Sequence, residues 1–147
     1  MNIVPSAFSE TAWNYFLYAK KIAYQFSHQN IDSEHIFLSI LHNNKSVKKI
    51  LELNELNFKA IEGIVLKKIK NKGKMKVKQD TLFIGDTLHK VFLKADEIKV
   101  NSGRVVISTE HILLGLIYDR SIGHLILNKK TVPEFLDFLQ KMNKDNP

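Results

Sequence analysis

The chain has 147 residues, 44% of them hydrophobic and 25% charged, which predicts one ordinary globular domain spanning residues 1–147. It has no cysteine, so disulfides and thiolate chemistry are excluded, and no apolar run is long enough for a membrane helix. The start of the chain lacks the features of a secretory signal. The net charge of +7 suggests nucleic acid as a ligand, but 20 of the 22 basic residues are lysines, and arginine is the residue expected for bidentate phosphate and base contacts.

The first two predicted helices carry clear start signals. Ser9 is expected to cap a helix whose apolar stripe continues to about His28. A second helix is expected from Glu34 to about His42, with Ser33 capping its first amides. This second helix has so little polar surface that it should be buried on nearly all sides.

Two further helices complete the first half of the chain. Ser46 is expected to cap a short third helix that ends at Leu53, with Asn54 as a left-handed stop. Asn57 is expected to cap the fourth helix. Residues 71–80 then break the helical period with lysines and a glycine. Their lysines are most simply a solvated surface, with an acidic partner as the alternative.

The second half of the chain repeats the first. Thr109-Glu110-His111 lies 76 residues after Ser33-Glu34-His35, so Thr109 is expected to cap a matching buried helix. The spacing falls to 74 after this helix. A further set of positions recurs between the first and fifth helices at the spacing of 76, namely Thr87, Phe92, Leu93, Ala95 and Ile98. Thr131 is expected to cap an eighth helix, with Pro133 in its first turn.

The predicted fold class is all-α, with eight helices in two four-helix repeats related by a pseudo-twofold axis and no convincing strand. Repeat 1 spans residues 8–70, repeat 2 spans residues 84–143, and a linker occupies residues 71–83. Because each repeat alone has little to bury against, a shared core is expected.

The histidines suggest a metal stripe only at first sight. His28, His35 and His42 are spaced by seven, but His28 and His35 fall in different predicted helices, and no carboxylate cluster with ligand spacing adjoins them. His35 and His111 occupy matching helix starts, where an imidazole can bond to the backbone. No metal site is therefore predicted.

Enzymatic motifs are missing from the sequence. It contains neither a phosphate-binding glycine loop nor a nucleophile elbow. Glu34 and Glu110 lie in first helical turns, where the helix dipole already accounts for a carboxylate. No catalytic residue is predicted in this segment.

The aromatic residues of the first helix leave two interpretations open. Trp13 and Phe16 share a stripe with Leu17, whereas Tyr15 and Tyr18 lie off it. They form either a broad core with ordinary exposed tyrosines or an apolar groove that receives a partner segment.

Two pairs of segments resemble one family across residues 8–147. The helix starts at residues 8–13 and 83–88, with the Glu-His segments at residues 28–35 and 106–111, are similar to the Clp N-terminal repeat domain. Within that family the chain looks closest to the ClpB type. The resemblance implies a recognition domain of an AAA+ disaggregase chaperone, with the adaptor-binding domain of a ClpC- or ClpA-type protease unfoldase as the alternative.

The resemblance also implies the domain's surroundings. Its partners would be unfolded or aggregated proteins, with adaptors or a co-chaperone as further candidates and no nucleic acid or membrane. The domain would be monomeric in a hexameric parent, in bacterial cytoplasm or an organelle such as a plastid. No cofactor is expected in this segment, since ATP and Mg²⁺ would belong to the parent's ATPase modules.

The substrate-contact residues follow from matching positions in the family. The resemblance implies polar contacts by Ser9 and Glu110. The candidates for an apolar groove, chosen for their place near the paired helix starts, are Phe8, Trp13, Ile84 and Leu88. Arg104 stands at a position that is acidic in some relatives, so an acidic substrate contact there is not carried over.

Overall fold

The computed structural model describes residues 2–53, 55–78, 81–126 and residue 137. Its helices and strands, in chain order, are α1 (Glu10–Gln25), β1 (Asn30–Ile31), α2 (Ser33–Asn43), α3 (Lys45–Leu53), α4 (Phe58–Lys70), β2 (Phe83–Ile84), α5 (Asp86–Asn101), α6 (Thr109–Ile117) and α7 (Gly123–Ile126). The all-α prediction is confirmed, and none of these helices is long and apolar enough to cross a membrane. The predicted stop at Asn54 and the eighth helix with Thr131 and Pro133 lie outside the described residues.

Two of the predicted caps are confirmed. The hydroxyl of Ser9 accepts a hydrogen bond from the amide of Ala12 at 3.1 Å, and the side chain of Asn57 accepts one from Ala60 at 3.0 Å. Helix α1 ends at Gln25, before the predicted end near His28. The reason is Ser27, whose φ of 59° is left-handed and reverses the chain.

Three other predicted caps are wrong by one or two residues. Asp32 and Ser108 are the N-caps of α2 and α6, so Ser33 and Thr109 are instead the first helical residues. Asp and Ser are both favoured N-caps, which is why residue type alone placed the start one position late. In α3 the amide of Val47 donates to the Asn44 side chain at 3.0 Å, so the side chain of Asn44, rather than Ser46, caps the helix.

Residues that directly precede helices of one repeat pair with residues that directly precede helices of the other repeat. Phe8, ahead of α1, forms a parallel bridge with Ile107, ahead of α6. Ile84, ahead of α5, pairs in the same way with Ile31, ahead of α2. Each residue of the first pair is 76 positions from its counterpart in the second. The two pairings, which we call the crossings, therefore occupy equivalent positions in the two repeats. They support the pseudo-twofold relation, and the short strands correct the expectation of no strand.

The core lies between the repeats. Helix α1 packs on α2, and α5 packs on α6 in the equivalent way. Phe16 and Phe92 occupy equivalent positions and touch each other, with ring centroids 5.9 Å apart. Helices α2 and α6 are buried on nearly all sides, as predicted. The pseudo-twofold axis therefore passes close to this contact between α1 and α5.

Candidate functional site

The start of α2 contains a buried histidine relay. His35 Nδ1 accepts a hydrogen bond from the Asp32 amide at 2.8 Å, which confirms the predicted backbone contact. The hydrogen of the neutral ring is therefore on Nε2, which donates to His28 Nδ1 at 2.9 Å. Burial, followed by the nearby His28, lowers the pKa of His35 to about 3. The relay is thus neutral at physiological pH.

A lysine from the segment after α4 neutralises the same helix start. Lys72 Nζ donates to Asp32 Oδ2 at 2.9 Å and lies 3.3 Å from Glu34 Oε2, while Thr87 donates to the other oxygen of Asp32. Burial acts to lower the pKa of Lys72, but its bond to Asp32 and the charge of Glu34 outweigh burial and raise it. The expectation of a solvated lysine is therefore wrong for Lys72.

The start of α6 repeats the backbone contact but not its surroundings. His111 Nδ1 accepts from the Ser108 amide at 3.0 Å. The Glu110 Oε1 atom accepts from the Ser108 hydroxyl at 3.3 Å and lies 3.5 Å from Arg104 Nη2. The other oxygen, Oε2, is buried without a hydrogen-bond partner among the described residues. Arg104 occupies the position equivalent to His28, so a half-exposed cation stands where repeat 1 has a buried ring.

A small cavity opens beside the start of α6. Its volume is about 180 Å³, and it is lined by Ser9, Gly103, Arg104, Val105, Val106, Ser108 and His111. Val105 is 86% exposed, so its side chain forms an apolar rim. The cavity combines hydroxyl groups, an imidazole and a guanidinium with apolar walls, which suits contact with a polypeptide. Within residues 2–53, 55–78 and 81–126, no group of three potential metal ligands is assembled.

Aromatic rings connect this helix start to α1 and α5. The ring of Trp13 lies 5.6 Å from Phe8 and 5.0 Å from Phe16, between centroids. Phe8 in turn contacts Phe92 at 5.1 Å. Trp13 is only partly buried, so part of this aromatic cluster is accessible at the surface. Such ring contacts fix the orientation of the indole.

The outer faces of α1 and α5 expose apolar side chains at equivalent positions. Leu17 is 41% exposed and Leu93 is 42% exposed, and Tyr24 and Val100 form a second exposed pair two turns further on. The helical pattern predicts Leu17 to lie on the inward stripe with Trp13 and Phe16, so it does not identify these exposed residues. Their recurrence at a spacing of 76 was the signal that could have identified them.

The six predicted contact residues divide between the two crossings. Phe8, Ser9, Trp13 and Glu110 lie together at the start of α6, where the Ser9 amide donates to the Ile107 carbonyl at 2.8 Å. The other two residues, Ile84 at the second crossing and Leu88 in the first turn of α5, belong to repeat 2.

Burial distinguishes among the predicted residues. Phe8 is 4% exposed and Leu88 is fully buried, so neither side chain can line an open groove in this structure. Ser9 and Glu110 are also largely buried, and Trp13 and Ile84 are partly buried. Substrate contact by any of these residues stays a prediction.

These features define a class of protein: an all-helical double-repeat domain whose repeats exchange their leading segments around a shared core. The family model described as the Clp repeat (R) N-terminal domain matches residues 7–130. The chain therefore belongs to this family, which confirms the resemblance seen in the sequence.

Proteins from cyanobacteria are similar to this chain in sequence. The chaperone protein ClpB of Prochlorococcus marinus is 33% identical over 137 residues, and ClpB 1 of Synechococcus elongatus is 28% identical over 130 residues. These matches cover 92% and 88% of this chain but only 16% and 15% of the relatives, so the chain spans about one sixth of their length.

Solved structures share the fold. The Hsp104 N-terminal domain from Candida albicans superposes with a TM-score of 0.78 at 18% identity, covering 95% of each chain. The N-terminal domain of the ClpV1 ATPase from Escherichia coli gives 0.77 at 15% identity, covering 96% of this chain and 90% of that one. At these identities the comparison establishes the fold alone.

Proposed function

We propose that this domain captures unfolded polypeptide as the recognition module of a ClpB-type AAA+ chaperone. The capture surface consists of the exposed outer faces of α1 and α5 and the adjoining cavity at the start of α6. We call this the α1/α5 surface; its apolar members are Trp13, Leu17, Leu93 and Val105. The observation that carries the proposal is the equivalent exposure of Leu17 and Leu93, which follow Phe16 and Phe92, the two rings in contact, in the chain.

The chemistry of the α1/α5 surface fits an extended apolar segment. A bound segment would remove apolar surface of the half-exposed leucines from water. Each Å² of apolar surface that is buried contributes about 25 cal/mol of favourable free energy. The half-exposed guanidinium of Arg104 at the cavity can hydrogen-bond the backbone of such a segment. Because both partners lose freedom on association, a surface of this size binds weakly and reversibly.

Weak binding suits the proposed parent protein. Several copies of the domain, held around one hexameric ring, would raise the effective affinity through avidity. The ring would supply ATP hydrolysis with Mg²⁺, and this domain would supply recognition without catalysis. The proposed location is bacterial cytoplasm or an organelle such as a plastid.

The proposal is tested by removing the exposed leucines. The double variant Leu17→Ser/Leu93→Ser should bind a labelled unfolded protein such as carboxymethylated lactalbumin about fivefold more weakly, because apolar contact area is lost. The matched control is Leu53→Ser/Ile64→Ser, which changes residues of similar exposure on α3 and α4 and should change affinity by less than about twofold. Fluorescence anisotropy measures both.

Two results would overturn the proposal. Equal weakening by both double variants would show that the α1/α5 surface is not selective. Binding of a folded adaptor without binding of unfolded protein would favour the adaptor-binding alternative.

A further inference from the structure

The most basic part of the chain runs from the second half of α4 through the segment that precedes β2. Seven lysines and no acidic residue stand between Glu62 and Asp80. Lys72 is occupied by Asp32 and Glu34, whereas the remaining lysines of the segment carry no ion pair in the structure's described residues. The segment therefore keeps a large excess of positive charge after its internal pairing is complete.

A cavity adjoins this segment at the end of α1. It has a volume of about 270 Å³ and is lined by Phe26, His28, Ile69, Lys70 and Lys74. Phe26 and Ile69 supply apolar walls, and Lys70 and Lys74 are exposed cations at its edge. Of the described residues that line it, none carries a carboxylate. We call it the α1–α4 cavity.

The histidine relay makes His28 a hydrogen-bond donor toward other partners. His28 Nδ1 accepts from His35, so the hydrogen of the neutral His28 ring is on Nε2. Burial and the neighbouring Lys72 lower the pKa of His28, which keeps the ring neutral at physiological pH. The ring thus offers an N–H group, and no acceptor nitrogen, to a ligand of this cavity.

Backbone contacts hold the cavity's walls in place. The Met75 amide donates to the Ser27 carbonyl at 2.8 Å, which ties the basic segment to the turn after α1. The rings of Phe26 and His28 stack with centroids 6.2 Å apart. The lysine charges and the His28 donor are therefore brought to one place by the fold.

We propose that the α1–α4 cavity binds an acidic polypeptide segment, in which a carboxylate meets Lys70, Lys74 and His28 while a neighbouring apolar side chain enters against Phe26 and Ile69. Nucleic acid fits less well because the described lining contains no arginine for bidentate phosphate contacts. A flat membrane surface would not fill a recessed cavity with apolar walls. This site is separate from the α1/α5 surface, so either proposal can fail alone.

The test is an NMR titration of the isotope-labelled domain with the peptide acetyl-Glu-Leu-Glu-Phe-Glu-amide at physiological ionic strength. The amides of Ser27, Lys74 and Met75 should shift in a saturable way. The peptide with glutamine in place of glutamate should bind about tenfold more weakly, since the lysines lose their charge partners.

Variants locate the binding site. Lys70→Gln/Lys74→Gln should weaken acidic-peptide binding about tenfold. His28→Phe keeps an aromatic ring at this position but removes its N–H donor, and it should weaken binding about fivefold. The matched control Lys45→Gln/Lys49→Gln removes two exposed charges from α3 and should have less than about a twofold effect. If His28→Phe does not fold, the lysine variants still decide the matter.

Several outcomes would overturn the proposal. Equal loss in both lysine variants would mean unspecific charge attraction. Equal binding of the glutamine peptide would mean that the carboxylates are not recognised. Shifts of the same amides by an oligothymidylate or by phosphatidylserine vesicles, with none from the acidic peptide, would assign the site to nucleic acid or membrane instead.

Discussion

The starts of α2 and α6 carry the same Glu-His pair at equivalent positions, yet their surroundings differ. At the start of α2, Glu34 faces Lys72, and His35 bonds to a buried histidine. At the start of α6, Glu110 faces the half-exposed Arg104. Each glutamate keeps one buried oxygen, Oε2, without a hydrogen bond in the described structure, so the difference lies in the cation and not in this oxygen. The first site is paired with Lys72 from the segment after α4, whereas the second adjoins an open cavity.

This difference indicates how one duplicated motif can serve two purposes. In repeat 1 the motif holds the segment after α4, because Lys72 can reach Asp32 only when that segment lies in place. In repeat 2 the same motif leaves polar groups at a surface cavity beside exposed apolar residues. The α6 start is therefore the one that we propose for recognition.

The largest expected effect comes from making the two crossings alike. Gly85 is equivalent to Ser9, and a Cβ at Gly85 would overlap the side chain of Asp32, which Thr87 and Lys72 hold. Gly85→Ser should therefore lower the free energy of unfolding by about 2–3 kcal/mol, measured by urea denaturation. Because φ at Gly85 is −75°, the cost comes from contact and not from backbone strain.

A double-mutant cycle provides the control for Gly85→Ser. Asp32→Ser introduces the residue found at the equivalent position, Ser108, and removes the carboxylate oxygen that a Cβ at Gly85 would overlap most. Gly85→Ser should therefore cost much less in the Asp32→Ser background than in the wild type. Strict additivity of the two changes would show that the crossings do not differ in the way described.

The second prediction concerns the buried relay and pH. The folded structure lowers the pKa of His35 to about 3, from 6.5 for an unperturbed histidine, so the unfolded chain binds more protons between these values and stability falls as pH falls. Between pH 6.5 and 4.5 this group alone should cost about 2 kcal/mol. The stability difference between wild type and His35→Gln should shrink by that amount over this range. A stability difference that stays constant over this range would contradict the burial of a neutral His35.

The smallest effects are expected when Lys72 and Arg104, the cations at the two helix starts, are each replaced. Lys72→Met leaves the buried Glu34 without its counter-charge and should destabilise by about 1–2 kcal/mol. Arg104→Met should cost about 0.5 kcal/mol or less, because Arg104 is 45% exposed and 3.5 Å from its partner. Thermal unfolding at neutral pH measures both, and equal costs would contradict the asymmetry.

Local and periodic features of the fold were predictable from sequence. The spacing of 76, the buried helices α2 and α6 and the Ser9 and Asn57 caps all depend on residues close together in the chain. The crossings were not predictable, because a two-residue strand has no measurable period and its partner lies in the other repeat.

The site was only partly predictable for a related reason. Trp13 and the Ser9–Glu110 neighbourhood follow from the helix starts, but the burial of Phe8 and Leu88 depends on contacts between repeats. The role of Lys72 was hidden because a lysine in a run of lysines resembles a solvated surface, and its acidic partners lie about 40 residues earlier.

The most direct test of the assignment is an amide NMR map of the domain saturated with an unfolded model protein. The account predicts shifts at the Trp13 indole, Leu17, Leu93 and Val105, with the Asp32 and Lys72 amides unchanged. Shifts centred on Asp32 and Lys72, with the Trp13 indole unmoved, would contradict it.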